Sequence, residues 1–366
     1  MNNDLYMRLA LDEAWRFQLL AYPNPAVGAV LLDANGKILS IAAHEKSGEA
    51  HAEVLALYRA FTAAKGEAPN PPKTSAEIHG FLRSNHNGFF ADATLYCSLE
   101  PCNAEGKTPS CAALIADLSV SRVVFAARDT TDKMKGGGEY LKSRGVEVEG
   151  GCLESEGEKL LAPFRIWQKK PFVLFKQAIR LDGSIDGGII SCHEALDETH
   201  KLRSVCDLLL IGGASVRADR PTLDARRTGG KAPDVLILSR NKDEIAAKTA
   251  MAESVFMDNN DILNGNVVRN LTGNLFDKNI PLFSVPNRKV MVANLGELER
   301  HLRGFTLVEG GAEMFNLIYD HIDWCLFYQS AALTGGEKRV KSDRPLELLR
   351  AEKFHSNTKL WFETKR

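Results

Sequence analysis

Between residues 93 and 127 the chain reads strand, helix, strand: "ATLYCSL" (93–99), "CAALIADLS" (111–119) and "SRVVFAA" (121–127). Strands alternating with helices of this length imply a mixed or parallel sheet with helices on its faces. The alternation extends both ways. Residues 4–20 read as an amphipathic helix through Leu5, Leu9, Ala10, Ala14 and Phe17, and "YPNPAVGAVLLDANGKILSIAAHE" carries two strand-like runs about the turn Asn35-Gly36, a hairpin. A helix over 51–64, another over 137–144 and a strand over 146–150 complete the set. Residues 65–92, rich in Pro, Asn and Gly, read as a surface insertion serving as a lid or interface segment, with His79 and His86 as solvated loop histidines.

"GCLESEGEKLLAPFRIWQKK" (151–170) is a charged amphipathic helix ahead of Pro171, and a new strand pattern, "PFVLFKQAI", starts at once. The expected division is a first domain over 1–150, a linker helix over 151–170 and a second domain over 171–366. The second half continues as strand 172–179, helix 193–204, strands 207–213 and 233–239, and a polar stretch with strands to about 285. Helix 295–303, strand 305–311, helix 312–321 and a β-rich tail from 323 follow. This is a second α/β sheet.

The composition is 44% hydrophobic and 25% charged, that of an ordinary globular protein. Residues 1–150 hold 15 Lys+Arg against 18 Asp+Glu, and the remainder 31 against 29. Neither half has the basic excess of a nucleic-acid binder. The N-terminus lacks the basic start and apolar run of a signal peptide, and no long apolar window exists, so a cytoplasmic protein without a membrane partner is expected. The 7 cysteines are an odd number and sparse, so those that cluster read first as metal ligands or nucleophiles.

His51 and Glu53 stand at the start of one helix; Cys102 and Cys111 flank a Gly/Pro-bearing turn, "CNAEGKTPSC", with Cys111 opening another. Three ligands of the His/Cys/Cys type leave one tetrahedral position on Zn2+ open for water, which separates a catalytic site from a closed structural one. A carboxylate beside that water that is not itself a ligand, Glu53, can take its proton and pass it to a leaving amine. The helix N-termini favour the Cys111 thiolate and orient His51. H-x-E with P-C and a later Cys is the signature of zinc nucleobase deaminases, here with a wider cysteine spacing. In the second half no G-x-G-x-x-G follows a strand; glycine breaks at strand ends, "IGGAS" (211–215) and "EGGAEMF" (309–315), suit an anion cradle or an ordinary turn.

"YPNPAVGAV", "SGEAHAE", "TLYCSLEPCNAEGKTPSC", "LDGSIDG", "ASVRADRPTLDAR" and "VEGGAEMF" resemble, in that order and over nearly the whole chain, the bifunctional riboflavin-biosynthesis deaminase/reductases of the RibD family. The resemblance implies a cytidine-deaminase-like mixed sheet followed by a dihydrofolate-reductase-like α/β sheet. It implies zinc on His51, Cys102 and Cys111, Glu53 as proton shuttle, and Asn24 holding the pyrimidine ring. Lys107 stands where the family has an arginine and keeps a cation for a ribose phosphate, without the bidentate fork. In the second domain it implies NADPH against Ser215, Asp219, Ser239 and the segment Gly311, Ala312, Glu313, Met314 and Phe315. The resemblance likewise implies that Arg203, Leu223, Arg226 and Glu309 face the substrate; two arginines suit a phosphorylated ribose, and an acidic residue suits exocyclic amino groups.

The chain departs from the family in the 65–92 insertion and in "RDTTDKMKGGG" (128–138), where the family has an Asp-Pro-Asn-Pro run. It departs again at Ile189, which stands in place of a tryptophan. The implied reactions are hydrolytic deamination of a diaminopyrimidine ribosyl phosphate, then NADPH reduction of the ribosyl group to ribityl, by a homo-oligomer (dimer or tetramer). Two rivals are a nucleoside or nucleic-acid deaminase with an inactive or unrelated C-terminal domain, and a zinc-stabilised scaffold without catalysis.

Overall fold

A computed structural model describes residues 2–104, 106, 108–239, 257–258, 280–333 and 336–365. The chain divides into two compact units, Met1–Arg165 and Ile166–Arg366. The expected two α/β sheets are present.

The first unit runs α1 (Asn3–Trp15), β1 (Gly28–Leu32), β2 (Ile38–Ala43), α2 (Ala52–Lys65), α3 (Ser75–Asn85), β3 (Thr94–Leu99) and α4 (Cys111–Asp117). β4 (Arg122–Ala127), α5 (Gly137–Ser143), β5 (Glu147–Gly150) and α6 (Glu154–Trp167) follow. Its five-stranded sheet has the order β2-β1-β3-β4-β5. β1 pairs antiparallel with β2 and β3, while β3, β4 and β5 run parallel, so the sheet is mixed.

Strand alternation sorts the helices onto two faces. Ala29, Leu31, Leu95, Cys97, Val123 and Phe125 share one apolar cluster with Val54, Leu57 and Phe61 of α2 and Leu114 and Ile115 of α4. On the opposite face α1 crosses β1 at Gly28, where a Cβ would come within 1.9 Å of the Ala10 carbonyl oxygen. α6 reaches the same face at Gly157, whose Cβ would meet that of Ala126 at 2.9 Å. The helix expected over 4–20 stops at Trp15, because Leu19 is left-handed (φ 66) and Pro23 and Pro25 follow. Gln18 Nε2 donates to the Leu160 carbonyl at 2.6 Å and fixes this turn against α6.

The 65–92 segment is no open loop. Thr74 and Glu77 form a reciprocal capping box that starts α3, and Phe61 of α2 meets Phe81, Phe89 and Phe90 at ring separations of 5.8, 5.6 and 6.2 Å. His79, expected in solvent, is 1% exposed on the inner face of α3, and neither ring nitrogen has a partner among the described residues. Burial, Arg83 and His51 push its pKa down to about 4, which keeps it neutral.

The second unit comprises β6 (Phe172–Ile179), α7 (His193–Val205), β7 (Leu208–Gly212), α8 (Gly213–Asp219), β8 (Asp234–Leu238), β9 (Met257–Asp258) and β10 (Lys289–Ala293). Then come α9 (Leu298–His301), β11 (Phe305–Glu309), α10 (Ala312–Ile318), β12 (Trp324–Ser330), β13 (Leu346–Phe354) and β14 (Asn357–Thr364). Among the described residues its sheet has nine strands, β13-β14-β12-β6-β11-β7-β8-β10-β9. β12 through β10 are parallel, and β14 and β9 pair antiparallel at the two sides. The strand expected over 207–213 ends one residue early and turns at once into α8, a helix the sequence pattern did not suggest. Most of the expected strands up to 285 lie outside the described residues. Cys102 after β3 in the first unit, and Ser239 after β8 and Gly311 after β11 in the second, leave the C-terminal ends of parallel strands, the usual place for a ligand crevice in such sheets, whereas His51 and Glu53 follow the antiparallel strand β2.

Candidate functional site

His51 caps the N-terminus of α2, Cys111 is the first residue of α4, and Cys102 lies on the loop after β3. The fold brings one donor atom from each within 4.8 Å of the others. His51 Nδ1 is 3.3 Å from Cys111 Sγ and 3.8 Å from Cys102 Sγ. Its Nε2 lies 3.2 Å from Thr108 Oγ1, a hydroxyl able to accept the ring proton when the Nδ1 lone pair, which faces the sulfurs, is given to a metal. The Cys111 backbone N–H donates to Cys102 Sγ at 3.3 Å. Hydrogen bonding from the Cys111 thiol, against the cost of burial and with help from His51, holds Cys102 down at about 5, so it ionises first. The donor chemistry fits zinc: two sulfurs and one imidazole, with no fourth protein ligand among the described residues.

Glu53 sits in the first turn of α2, 4% exposed, and its Oε2 has no hydrogen-bond partner among the described residues. Burial pushes its pKa up to about 7, Cys102 adding to this and His51 opposing it. It lines a cavity of ≈330 Å³ together with His51, Cys102, Asn24, His44 and Thr108. Asn24 Nδ2 lies 3.0 Å from His44 Nε2, and His44 Nδ1 lies 3.1 Å from the Ala50 carbonyl. A carbonyl only accepts, so Nδ1 bears the proton and Nε2 accepts from Asn24. Burial and then His51 press His44 down to about 4, which keeps it neutral. The Asn24 amide oxygen is thereby left for a ligand. Lys107 lies outside the described residues.

In the second unit a cavity of ≈570 Å³ is lined by Gly212, Gly213, Ser215, Asp219, Ser239, Gly311, Ala312, Glu313 and Met314. A Cβ on Gly213 would stand 3.3 Å from Ser239 Oγ, so the glycine keeps the cleft floor open. Phe315 does not reach this lining. The α10 periodicity turns it inward, 1% exposed, with its ring 5.1 Å from Phe175 and 5.6 Å from Tyr319.

Arg203 and Glu309 are committed to each other by a bidentate pair, Nε to Oε1 at 2.6 Å and Nη2 to Oε2 at 2.8 Å. Burial alone would raise Glu309, but Arg203 outweighs it and holds the carboxyl at about 2. Arg203 also donates to the Asp224 carbonyl (3.3 Å), and the mostly exposed Arg226 pairs with the Asp224 carboxylate at 2.9 Å. Leu223, left-handed at φ 55, is pinned through its carbonyl by buried Arg288. Thr108, His44, Arg288 and Lys176 were not singled out from sequence. Lys176 is buried near Glu309 and Arg203, and burial lowers its pKa against the pull of Glu309.

Fold and donor set together define a two-unit α/β protein with a zinc-type His/Cys/Cys centre in its first unit. Residues 1–127 match the family model described as the cytidine and deoxycytidylate deaminase zinc-binding region, and residues 171–359 match that of the RibD C-terminal domain. The second match spans more than half of the chain, which belongs to the RibD family. Among relatives, the riboflavin biosynthesis protein RibD of Mycobacterium tuberculosis is 33% identical over 238 residues, 62% of each chain. That of Aquifex aeolicus is 35% identical over 229 residues, 60% of this chain and 57% of its own. The chain thus spans about three-fifths of the length of the curated relatives it matches. Among solved structures, a diaminohydroxyphosphoribosylaminopyrimidine deaminase/5-amino-6-(5-phosphoribosylamino)uracil reductase from Thermotoga maritima superposes with TM-score 0.60 at 24% identity over 99% of each chain. RibD of Acinetobacter baumannii gives 0.59 at 22% identity over 100% of this chain and 99% of its own. These two establish a shared fold.

Proposed function

We propose that the chain is a bifunctional enzyme of riboflavin biosynthesis. The first unit removes an amino group hydrolytically from a diaminopyrimidine ribosyl phosphate, and the second reduces the ribosyl group of the product to ribityl with NADPH. The observation that carries this reading is the convergence of His51, Cys102 and Cys111 donor atoms within 4.8 Å, with the buried carboxylate of Glu53 and the Asn24 amide on the same cavity. Membership in the RibD family supports both halves.

Zinc held by these three residues supplies a Lewis acid that makes a water ionisable near neutral pH. Glu53, pushed up to about 7 by burial, is able to take a proton and deliver it to the departing nitrogen. Asn24, fixed by His44, offers its amide oxygen to a ring amino group. Thr108 keeps the His51 ring in the tautomer whose Nδ1 faces the two sulfurs. In the second unit the glycine-lined cleft accepts the extended cofactor, which supplies the hydride. Arg203 and Lys176 place positive charge beside Glu309, suiting a phosphorylated, amino-bearing substrate. A homo-oligomer in the cytoplasm, with no nucleic-acid partner, goes with this reading; the near-balanced charge of each half supports the last of these.

Ammonia release and NADPH oxidation, followed separately on the purified chain with the diaminopyrimidine ribosyl phosphate, test the two halves. Glu53→Gln is expected to keep its zinc and lose ammonia release by at least about 10³-fold, the general acid–base share plus its pre-organisation. Turnover that survives this change refutes the role given to Glu53. Ammonia release from cytidine or RNA, with none from the phosphoribosyl substrate, refutes the substrate.

A further inference from the structure

The zinc-side cavity has one wall of reactive groups and a second wall that the family resemblance leaves unexplained. The second wall is the turn after β4, residues 129–134, laid against the 102–108 loop. It is tightly built. Glu100 accepts the Asp129 N–H at Oε2 (3.1 Å) and the Gly138 N–H at Oε1 (2.8 Å). Asp129 Oδ1 accepts both the N–H (2.8 Å) and the hydroxyl (2.6 Å) of Thr131. The Asn103 N–H donates to the Met134 carbonyl at 3.0 Å, and Met134 Cε would lie only 2.7 Å from a Cβ on Gly106. The turn and the metal-ligand loop therefore form one surface.

Its charges are unequally used. Glu100 and Asp129 each hold protein donors, and Lys135 is paired with Asp132 at 2.8 Å. Lys133 lines the same cavity and has no hydrogen-bond or ion-pair partner among the described residues. Among the described lining residues it is the one lysine or arginine. A flexible ammonium with no bonded partner among the described residues, held on a rigid turn at the edge of a ligand cavity whose carboxylates Glu100 and Asp129 are engaged by protein donors, is matched by an anionic group on the ligand.

We propose that Lys133 binds the phosphate of the deaminase substrate and makes the first unit select phosphoribosyl pyrimidines over the unphosphorylated nucleosides. This rests on the deaminase reading above. It places the specificity cation on the stretch "RDTTDKMKGGG", where this chain departs from its family, in addition to the loop that carries Lys107.

The test uses the zinc-loaded full chain and its Lys133→Ala, Lys133→Glu and Lys133→Arg variants. Ammonia release is measured on the diaminopyrimidine ribosyl phosphate and on its dephosphorylated nucleoside, and ribose 5-phosphate binding is titrated calorimetrically. The ratio of kcat/KM for phosphorylated over dephosphorylated substrate is expected to fall about 10-fold in Lys133→Ala, about 100-fold in Lys133→Glu and within about 3-fold of the parent in Lys133→Arg, magnitudes of a part-exposed charge pair. The fall should sit in KM and shrink with added salt. Because Lys133 is an exposed turn residue, the variants should fold. An unaltered ratio in Lys133→Glu, or equal losses on both substrates, overturns the assignment while leaving deamination standing. Ribose 5-phosphate binding that disappears in Lys133→Glu, in a parent that releases no ammonia from either substrate, supports the assignment and overturns the deaminase reading.

Discussion

Glu53, buried in the first turn of α2, and Glu309, largely enclosed at the end of parallel strand β11, are both carboxylates in a candidate site, yet their acidities are driven in opposite directions. Glu53 has no cation bonded to it, and burial pushes it to about 7. Glu309 is gripped on both oxygens by Arg203 and sits at about 2. The first unit keeps a carboxyl able to exchange a proton near neutrality, whereas the second keeps a permanent anion. The cavities differ in the same sense. The first is walled by the imidazoles of His44 and His51, the Cys102 thiol and the carboxyls of Glu53, Glu100 and Asp129; the second has a floor of glycines and small residues, with Arg217, Asp219, Glu313, Lys338 and Arg339 around it, which leaves room for a large ligand bringing its own reactivity.

The sharpest way to break the comparison is to remove a sulfur. Cys111→Ser should reduce bound zinc and cut ammonia release on the order of 10³-fold, while NADPH oxidation with the deaminated substrate persists. Parallel loss of both activities would show that the two units do not work separately. Metal analysis and the two activity assays decide it.

Next in size is Arg203→Leu. It strands the Glu309 carboxylate without its partner, which typically costs about 3–5 kcal/mol. Urea unfolding of the second unit is the measurement, and Arg203→Leu combined with Glu309→Leu should recover most of the loss. The pH dependence has a definite sign. The folded value of Glu309 (about 2) lies below its ordinary 4.5, so its contribution is fully present above pH 4.5 and is lost as pH falls toward 2. Arg203→Leu should erase that acid limb.

The smallest effect concerns His79. Its folded value of about 4 lies below the ordinary 6.5, so between these values the unfolded chain binds the extra proton and stability falls as pH drops from 6.5 to 4. His79→Leu should flatten this limb and raise stability at pH 5 by about 1–2 kcal/mol, since it also removes two unpartnered buried nitrogens. An unchanged slope would mean that this ring is not what makes the first unit acid-sensitive.

The zinc triad was legible in sequence because its chemistry admits few residue types and both helix starts announce themselves. Its supports were not. That His51 must find a second partner is a general rule, but its meeting with Thr108, 57 residues on, and that of Asn24 with His44, 20 residues on, exist only in the folded chain. The α3 capping box, Thr74 with Glu77, was written plainly, yet the Pro/Asn/Gly content around it outweighed it in the reading. The burial of His79 follows only once Phe61 has gathered Phe81, Phe89 and Phe90. Arg203 and Glu309 are 106 residues apart and pair only in the folded sheet. Phe315 was misplaced because a motif names neighbours along the chain, whereas helix geometry sends adjacent side chains to different sides.

Glu100 grips the segment 129–138 by its two ends, one oxygen to each. The stretch between behaves as an exchangeable cassette: its tip residues can be rewritten while the take-off and landing points stay put. Rewriting the exposed tip residues Asp132 and Lys133, while Met134 keeps its bond to Asn103, therefore offers a route to retune ligand preference without disturbing the loop that carries Cys102.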